Sequence, residues 1–375
     1  MTVSFIHTAD WQLGRTFGQA GDEARGALHK QRFATVERLG TLAADRRADA
    51  VLVAGDVFDM VAPSDRTVLR AIAAMESFIG PWVLLPGNHD PALAEGVWAR
   101  LRRLGAPANV MVAAEPEPIL LAEGRLVVLP APLRRKNETG DLTGWFDIAP
   151  SSPGAMRVGL AHGSIPSRLP EDADARNPIA EDRAARAKLD YLALGDWHGT
   201  LRIDARSWYS GTPEPDRAKG NDPGNVLFVR IEHPGDLPEV EAVPVGHYRW
   251  HDLDAVVHGS DDVWALAERL RGLGNPLNRH VVELSLQGTL DLARRTDLAG
   301  VLEDLSARLC DLRVDDASLI AEPSDDDLQA IGRGGFVGHA VDCLREQATG
   351  RNSEQAATAR LALQILYLES VRGGA

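Results

Sequence analysis

Cysteine is nearly absent from this 375-residue chain, which has only Cys310 and Cys343, and these form no C-x-x-C pair. That excludes a disulfide framework and a zinc knuckle, and fits reduced thiols in a cytoplasmic protein. Long apolar runs are also lacking. Nothing approaches the ~18 consecutive apolar residues that a membrane span needs. The opening MTVSFIHTAD runs directly into a strand, leaving no room for the basic and apolar regions of a secretory leader, so a cytoplasmic protein with no membrane contact is expected. Positive charge is in short supply as well: 40 Lys and Arg stand against 54 Asp and Glu, a formal net charge of −14. A broad basic surface that grips nucleic acid is thereby excluded, and any phosphate-bearing substrate must be drawn in locally, by metal ions or a few arginines.

What is present is ordinary in amount and ordered in arrangement. The 44% hydrophobic content supports a sizeable core, and the length accommodates two or three domains. Short apolar runs recur at 3–6, 51–55, 82–87, 110–113, 125–131, 157–163, 191–195 and 225–231, and read as buried strands. Between the early ones lie helical patterns at 25–47, at 64–78 behind the cap Ser64, and at 91–104 opening on Pro91. This alternation predicts an α/β domain over residues 1–250, ending in a hairpin after the Pro/Gly-rich segment 232–246. A smaller α/β domain is expected over 251–324, with helices at 261–272 and 294–312 and strands at 281–286 and 318–321. A helical segment, 325–375, follows, whose last stretch places Leu361, Ile365 and Leu368 on one face.

The chemistry-bearing residues sit where the strands end, the edge at which open α/β sheets bind ligands. Asp10 follows the first strand, and Asp56 and Asp59 close VLVAGDVFD. Asn88 and His89 close VLLPGNHD, His162 closes VGLAHG, and Asp196 with His198 closes LALGDWHG. One such residue means little; five strand ends each carrying a metal-competent group have no comparable structural explanation. Gly55, Gly87 and Gly195 suit close approach of backbone to a charged centre.

HTADWQLG, GDVFD, GNHD, GLAHG and LALGDWHG, in that order over residues 1 to about 231, resemble the five signatures of the calcineurin-like metallophosphoesterases. HTADW together with WYSGTPEP (208–215) resembles, within them, the SbcD-type DNA repair exonucleases. The resemblance implies a four-layer αββα sandwich, two mixed sheets packed together with helices outside. It implies two divalent ions at one edge, the first held by Asp10, Gln12, Asp56 and His198 and the second by Asp56, Asn88, His162 and Asp196. Such a pair binds a bridging water, lowers its pKa and stabilises charge on a phosphodiester under in-line attack. His89 is then the general acid candidate, its ring oriented by the carboxylate of Asp90 or Asp59.

Two positions depart from the family pattern, since Gln12 and Asp196 stand where histidine is usual. Both replacements offer oxygen for nitrogen, which favours Mn²⁺ or Mg²⁺ over Zn²⁺, with iron as a further candidate. The altered site is read as active because the bridging Asp56 and the GNH triplet are intact. Gln12 is either a ligand or a supporting residue, and its identity does not decide which. Arg15, Arg66, Arg134, Arg135 and Lys136 are candidates for substrate phosphates, with Tyr209 and Thr212 near substrate in a turn lining the cleft. Trp11 and Trp197 read as packing that fixes the ligand loops, and His7 as a buried neighbour of the site. The resemblance implies that 251–324 is a capping domain that shapes access of DNA to the metals. It also implies a homodimer and an SMC-like ATPase partner of the SbcC type, docked through the C-terminal helix. Two other readings stay open: a phosphoesterase of small molecules or phosphoproteins, and a weakly active regulatory subunit of such an ATPase.

Overall fold

The computed structural model describes residues 2–168, 177–218, 220–321, 328, 335–350 and 353–373. Contacts separate two compact units, Met1–Arg249 and Trp250–Ala375. The strands of the first are β1 (Val3–Thr8), β2 (Ala50–Val53), β3 (Trp82–Leu84), β4 (Val110–Val112), β5 (Ile119–Leu121), β6 (Leu126–Ala131), β7 (Met156–His162), β8 (Tyr191–Gly195), β9 (Leu201–Arg202), β10 (Ser207–Tyr209), β11 (Asn225–Ile231) and β12 (Glu239–Pro244). They form two six-stranded sheets, β12-β11-β1-β2-β3-β4 and β5-β6-β7-β8-β10-β9. In the first sheet β1 to β4 run parallel, with the β11–β12 hairpin added antiparallel along β1. In the second, β6, β7, β8 and β10 are parallel, with β5 and β9 antiparallel at the edges.

The apolar runs are continuous because both faces of each central strand are covered. Along β1 and β2, Ile6, Val51 and Val53 point to one cluster with Phe33, Val36 and Leu39 of α1 (Asp22–Asp45) and with Val68 and Ile72 of α2 (Asp65–Met75). Their alternates Phe5, Ala50, Leu52 and Ala54 point the other way, onto Val128, Leu160 and Tyr191 of the second sheet. The outer face of that sheet, with Val127, Leu129 and Leu192, is closed by Phe146 of the 3-10 turn Leu142–Asp147 and by Ala184 beside it. The result is four layers, helix, sheet, sheet, helix, with the period-2 alternation of strands deciding which residues face which layer.

Ser64 caps α2 by accepting from the Thr67 amide at 3.2 Å. The pattern at 91–104 misplaces its helix, because α3 covers only Val97–Arg103. The Ala92 amide instead donates to the Leu133 carbonyl at 2.7 Å, tying residues 91–96 to the segment after β6 before Gly96 releases the chain into the helix. The remaining helix of this unit is the single turn α4 (Arg183–Arg186).

The second unit contains β13 (Arg249–Val257), α5 (Ser260–Arg271), β14 (His280–Leu290), α6 (Leu292–Ser306) and β15 (Asp311–Ala321). The sheet order is β13-β14-β15, with β14 and β15 parallel. The helix expected over 294–312 stops early, because the Cys310 amide donates to the His280 carbonyl at 2.9 Å and starts the β15 pairing. Two helices complete the chain, α7 (Gly335–Ala348) and α8 (Ser353–Gly373), packed through Leu328, Val341 and Leu363. The apolar face expected on α8 is not the buried one: Leu361 and Ile365 are each about half exposed and Leu363 is buried, while the side chain of Leu368 lies outside the described residues. Several residues of 325–334 likewise lie outside them. Among the described residues no helix is long and apolar enough to cross a membrane.

His7 crosses the interface between the sheets. Its Nδ1 lies 3.0 Å from the Tyr191 hydroxyl and its Nε2 3.2 Å from the Leu194 carbonyl, which requires the neutral Nε2–H tautomer. Burial depresses the ring to a pKa of about 3, against an upward pull from the Leu194 carbonyl. The unfolded chain takes a proton near pH 6.5 and the folded one does not, so stability falls as pH drops from about 6.5 toward 3. His7→Asn is expected to remove about 1.4 kcal/mol per pH unit from the slope of unfolding free energy between pH 5.5 and 4.5. Urea denaturation across that window measures it; equal slopes in the two proteins would overturn the assignment.

Candidate metal centre

The carboxyl ends of β1, β2 and β3 in one sheet, and of β7 and β8 in the other, open at a single edge of the sandwich. Leaving those ends, the backbone turns through the left-handed region at Asp10 (φ 54°), Gln12 (φ 44°), Asp56 (φ 54°) and Asp196 (φ 96°). Non-glycine residues adopt this region only where the surroundings impose it, and such strain collects at functional sites. Here the loops impose it on one another. Asp10 N donates to Gly55 O at 3.0 Å and Gln12 N to Asp56 O at 2.9 Å, so the first loop is stitched to the second. Asp196 N points at both oxygens of Asp10 at 3.2 and 3.3 Å, and His89 N donates to Asp56 Oδ1 at 2.9 Å. Close approach depends on two glycines. A Cβ on Gly55 would lie 2.2 Å from His162 Nδ1, and one on Gly87 would lie 2.2 Å from Asp56 Oδ1.

Asp10, Asp56 and His162 each offer one donor atom within 4.8 Å of the others, all three side chains buried. His162 Nε2 stands 3.5 Å from Asp56 Oδ1 and 3.6 Å from Asp196 Oδ1. Its Nδ1 lies 2.8 Å from the Ala54 carbonyl, so that nitrogen carries the proton and Nε2 presents its lone pair. Asn88 Nδ2 donates to Asp196 Oδ1 at 3.4 Å, which turns Asn88 Oδ1 elsewhere. His162 Nε2 and Asn88 Oδ1 are both buried and have no hydrogen-bond partner. Buried polar atoms are rarely left so, and an imidazole lone pair and an amide oxygen beside carboxylates make a donor set that fits a divalent cation.

Electrostatics point the same way. Burial lifts the Asp10 carboxyl to a pKa of about 6, partly opposed by His198 and His162. Burial also raises Asp196, against the pull of His162 and the Ser164 hydroxyl, which donates to Asp196 Oδ2 at 2.9 Å. For His162, burial acts to lower the pKa, but Asp56, Asp196 and Asp10 outweigh it and hold the ring at about 9. Protons are shared among crowded acids and an imidazole, the charge pattern that a dication neutralises.

His198 joins the same rim differently. Its Nε2 lies 3.2 Å from Gln12 Nε2, and its Nδ1 3.6 Å from Asp216 Oδ2. His89 is one-third exposed, its Nε2 is 3.9 Å from Asp56 Oδ2, and its Nδ1 is bonded to the main-chain carbonyl of Asp59 at 2.8 Å. The expectation that a carboxylate orients this ring is therefore corrected: the carbonyl of Asp59 does so. The Asp90 carboxylate instead accepts from Phe58 N at 2.9 Å and Gly87 N at 2.7 Å, clamping the GNHD loop to the GDVFD loop. Burial, then the nearby Asp56, raises the Asp90 pKa to about 8. The Asp59 carboxylate faces Arg15 at 3.6 Å.

The substrate candidates are mostly engaged elsewhere. Tyr209 is fully buried, its hydroxyl donating to Gly163 O at 2.8 Å and accepting from Ile165 N at 3.1 Å, so it braces the His162 loop and does not face a ligand. Thr212 is buried within its own turn, bonded to the Glu214 carbonyl at 3.0 Å. Arg15 is committed to Gln12, Asp59 and Asp216. Arg134 and Arg135 are exposed and pair with Glu115 and Glu138, each at 2.7 Å; Arg66 and Lys136 are exposed. Trp11 packs edge-on against Trp82, as packing required. Asp216, Ser164 and Arg32 were missed. Asp216 is buried against Arg15, Arg32 and His198; burial would raise its pKa, but these partners hold it well below the usual carboxylate range. Its only signal in the sequence was adjacency to WYSGTPEP.

Gly87→Ala is expected to displace the Asp56 carboxylate and weaken Mn²⁺ binding about 10- to 100-fold, the range found for disturbed ligand support. Isothermal titration, with far-ultraviolet dichroism confirming the fold, measures it; unchanged affinity would remove Asp56 from the binding set.

The family model for the calcineurin-like phosphoesterases matches residues 3–259. The SbcD component of the Rhodobacter capsulatus nuclease SbcCD is 39% identical over 109 residues, covering 28% of this chain and 25% of that protein. The Aeropyrum pernix DNA double-strand break repair protein Mre11 is 30% identical over 266 residues, 64% of this chain and 60% of that protein. The uncharacterized metallophosphoesterase YhaO of Bacillus subtilis is 24% identical over 313 residues, 76% of this chain and 72% of that protein. The chain thus matches between a quarter and three-fifths of the length of the first two relatives. With both sheets and every strand end of the cluster inside the matched region, the protein belongs to the calcineurin-like phosphoesterase family.

Proposed function

We propose that the protein is a divalent-metal-dependent phosphodiesterase that cuts DNA within a repair complex. The observation that carries the metal-dependent reading is the pair of buried, unpartnered atoms, His162 Nε2 and Asn88 Oδ1, beside Asp56. DNA as substrate rests on the HTADW and WYSGTPEP motifs and on likeness to proteins named as SbcCD and Mre11 nucleases. Asp56, Asn88, His162 and Asp196 would hold one ion and Asp10, Asp56, Gln12 and His198 the other, with Mn²⁺ the first candidate. When bound, such ions supply positive charge to the phosphodiester and lower the pKa of an attacking water.

The chain's own residues do the rest. Asp90 clamps the loops that carry Asp56 and Asn88, and Tyr209 braces the loop that follows His162. His89 is the accessible acid: with Nδ1 tied to the Asp59 carbonyl, its Nε2 is the nitrogen that delivers a proton to the leaving alkoxide. The second unit takes the part of a capping domain that governs access of DNA, and α8 that of the docking segment for an SMC-like, SbcC-type ATPase in a cytoplasmic assembly built on a homodimer.

The test is incubation of the full chain with Mn²⁺ and end-labelled DNA, beside bis-p-nitrophenyl phosphate. Both substrates are expected to be cleaved, Asp56→Asn to abolish cleavage, and His89→Ala to slow it by about 10²- to 10⁴-fold. Hydrolysis of the chromogenic ester with intact DNA would assign the protein to small phosphodiesters instead; cutting that persists in Asp56→Asn would discredit the site.

A further inference from the structure

Gln12 stands where the family pattern has a histidine, and its surroundings define what it presents to the site. The side chain is buried, with Oε1 accepting from Arg15 Nη1 at 2.8 Å. A guanidinium donates only, so the amide oxygen must be the atom facing it, and the –NH₂ must be the atom facing inward. That nitrogen has no lone pair to give a metal. It lies 3.2 Å from His198 Nε2, the nitrogen through which His198 would bind an ion, and donates to it. The other ring nitrogen of His198 is turned to Asp216 at 3.6 Å and Arg217 at 3.3 Å, which leaves Nε2 as the acceptor.

We propose that Arg15 locks Gln12 in a non-coordinating orientation, so that the protein holds one divalent ion tightly and a second only weakly. On one side of Asp56, Asn88 Oδ1 and His162 Nε2 are buried and without a hydrogen-bond partner. On the other, Gln12 and His198 spend their inward-facing atoms on each other. Turning the amide to offer its oxygen would point –NH₂ at Arg15 and break the contact with His198. Arg15 does not simply yield, because Asp216 at 3.2 Å and Asp59 at 3.6 Å anchor it from two directions, and Asp216 is itself buried against Arg32. Arg15 is thus a positioning residue acting through Gln12, and the asymmetry makes occupancy of the second position dependent on the ambient metal concentration.

This inference rests on the reading of the cluster as a divalent-ion site, and a count of bound ions separates the two. The full chain, stripped with chelator, is titrated with Mn²⁺ while free Mn²⁺ is followed by electron paramagnetic resonance. Wild type is expected to bind one ion at least about tenfold more tightly than the second. Arg15→Met, which frees the amide oxygen, and Gln12→His, which supplies a nitrogen ligand, are each expected to tighten the second step about 10- to 100-fold and leave the first in place. Thermal melting controls for folding, and Gln12→His carries the test if Arg15→Met does not fold. Two equally tight ions in wild type, or an unchanged second step in both folded variants, would overturn the locking of Gln12 while the metal site stands. No bound ion at millimolar Mn²⁺ would overturn the metal site itself.

Discussion

Three carboxylates, Asp10, Asp56 and Asp196, are gathered at one edge of the sandwich, the first two almost wholly out of water, and the rest of the structure is organised around holding them there. Burying like charges together is unfavourable, and the raised pKa values of Asp10 and Asp196 record that penalty. The backbone adds strain at the same places, since all three aspartates sit at positive φ. Such an arrangement persists only when the surrounding scaffold is stable enough to impose it. That scaffold is the sheet-on-sheet core, in which the strands leading to the loops are buried on both faces.

Between core and cluster lies a layer of hydrogen bonds that converts rigid strands into fixed loops. The Asp90 carboxylate reaches the amides of Phe58 and Gly87 on two loops, and the Tyr209 hydroxyl joins Gly163 and Ile165 across a third. Glu214 does the same at the base, accepting from Thr35 at 2.6 Å and from the amides of His247 and Tyr248 at about 3 Å. Each is a polar side chain serving main-chain donors or acceptors that would otherwise be buried without partners. The loops are precise because their backbone is satisfied, and the ligand geometry inherits that precision.

Strand positions were legible in the sequence because a strand covered on both faces must be apolar throughout, and the ligand residues were legible because each follows such a run directly. Roles that depend on tertiary approach were not. Tyr209 and Thr212 read as cleft-lining from their motif, yet whether a hydroxyl meets substrate or a neighbouring carbonyl is decided by a strand elsewhere in the sheet. Arg15 read as a phosphate contact because its partner Asp216 is about two hundred residues away in the chain. The helix at 91–104 and the onset of β15 failed for a related reason, since in both a distant carbonyl, Leu133 or His280, captured an amide that local periodicity assigned to a helix. The α8 face failed because a terminal helix is buried by whatever packs on it, here the cluster of Leu328, Val341 and Leu363.

A net charge of −14 and a phosphodiester substrate are at odds only if the protein's field as a whole must attract the anion. At physiological ionic strength exposed charges are screened beyond about 8 Å, so the surface contributes little at the reacting phosphate. What matters is the charge within a few ångströms, and there the cluster is built to be inverted by bound cations. Arginine is correspondingly withheld from that role: Arg15 and Arg32 are turned onto Asp216, and Arg183 onto Asp141 and Asp147. A chain that keeps its guanidiniums paired and gathers its acids at one edge has delegated phosphate attraction to exchangeable ions. Its affinity for an anionic polymer then follows the metal concentration as well as the sequence, which is how an acidic protein works on nucleic acid.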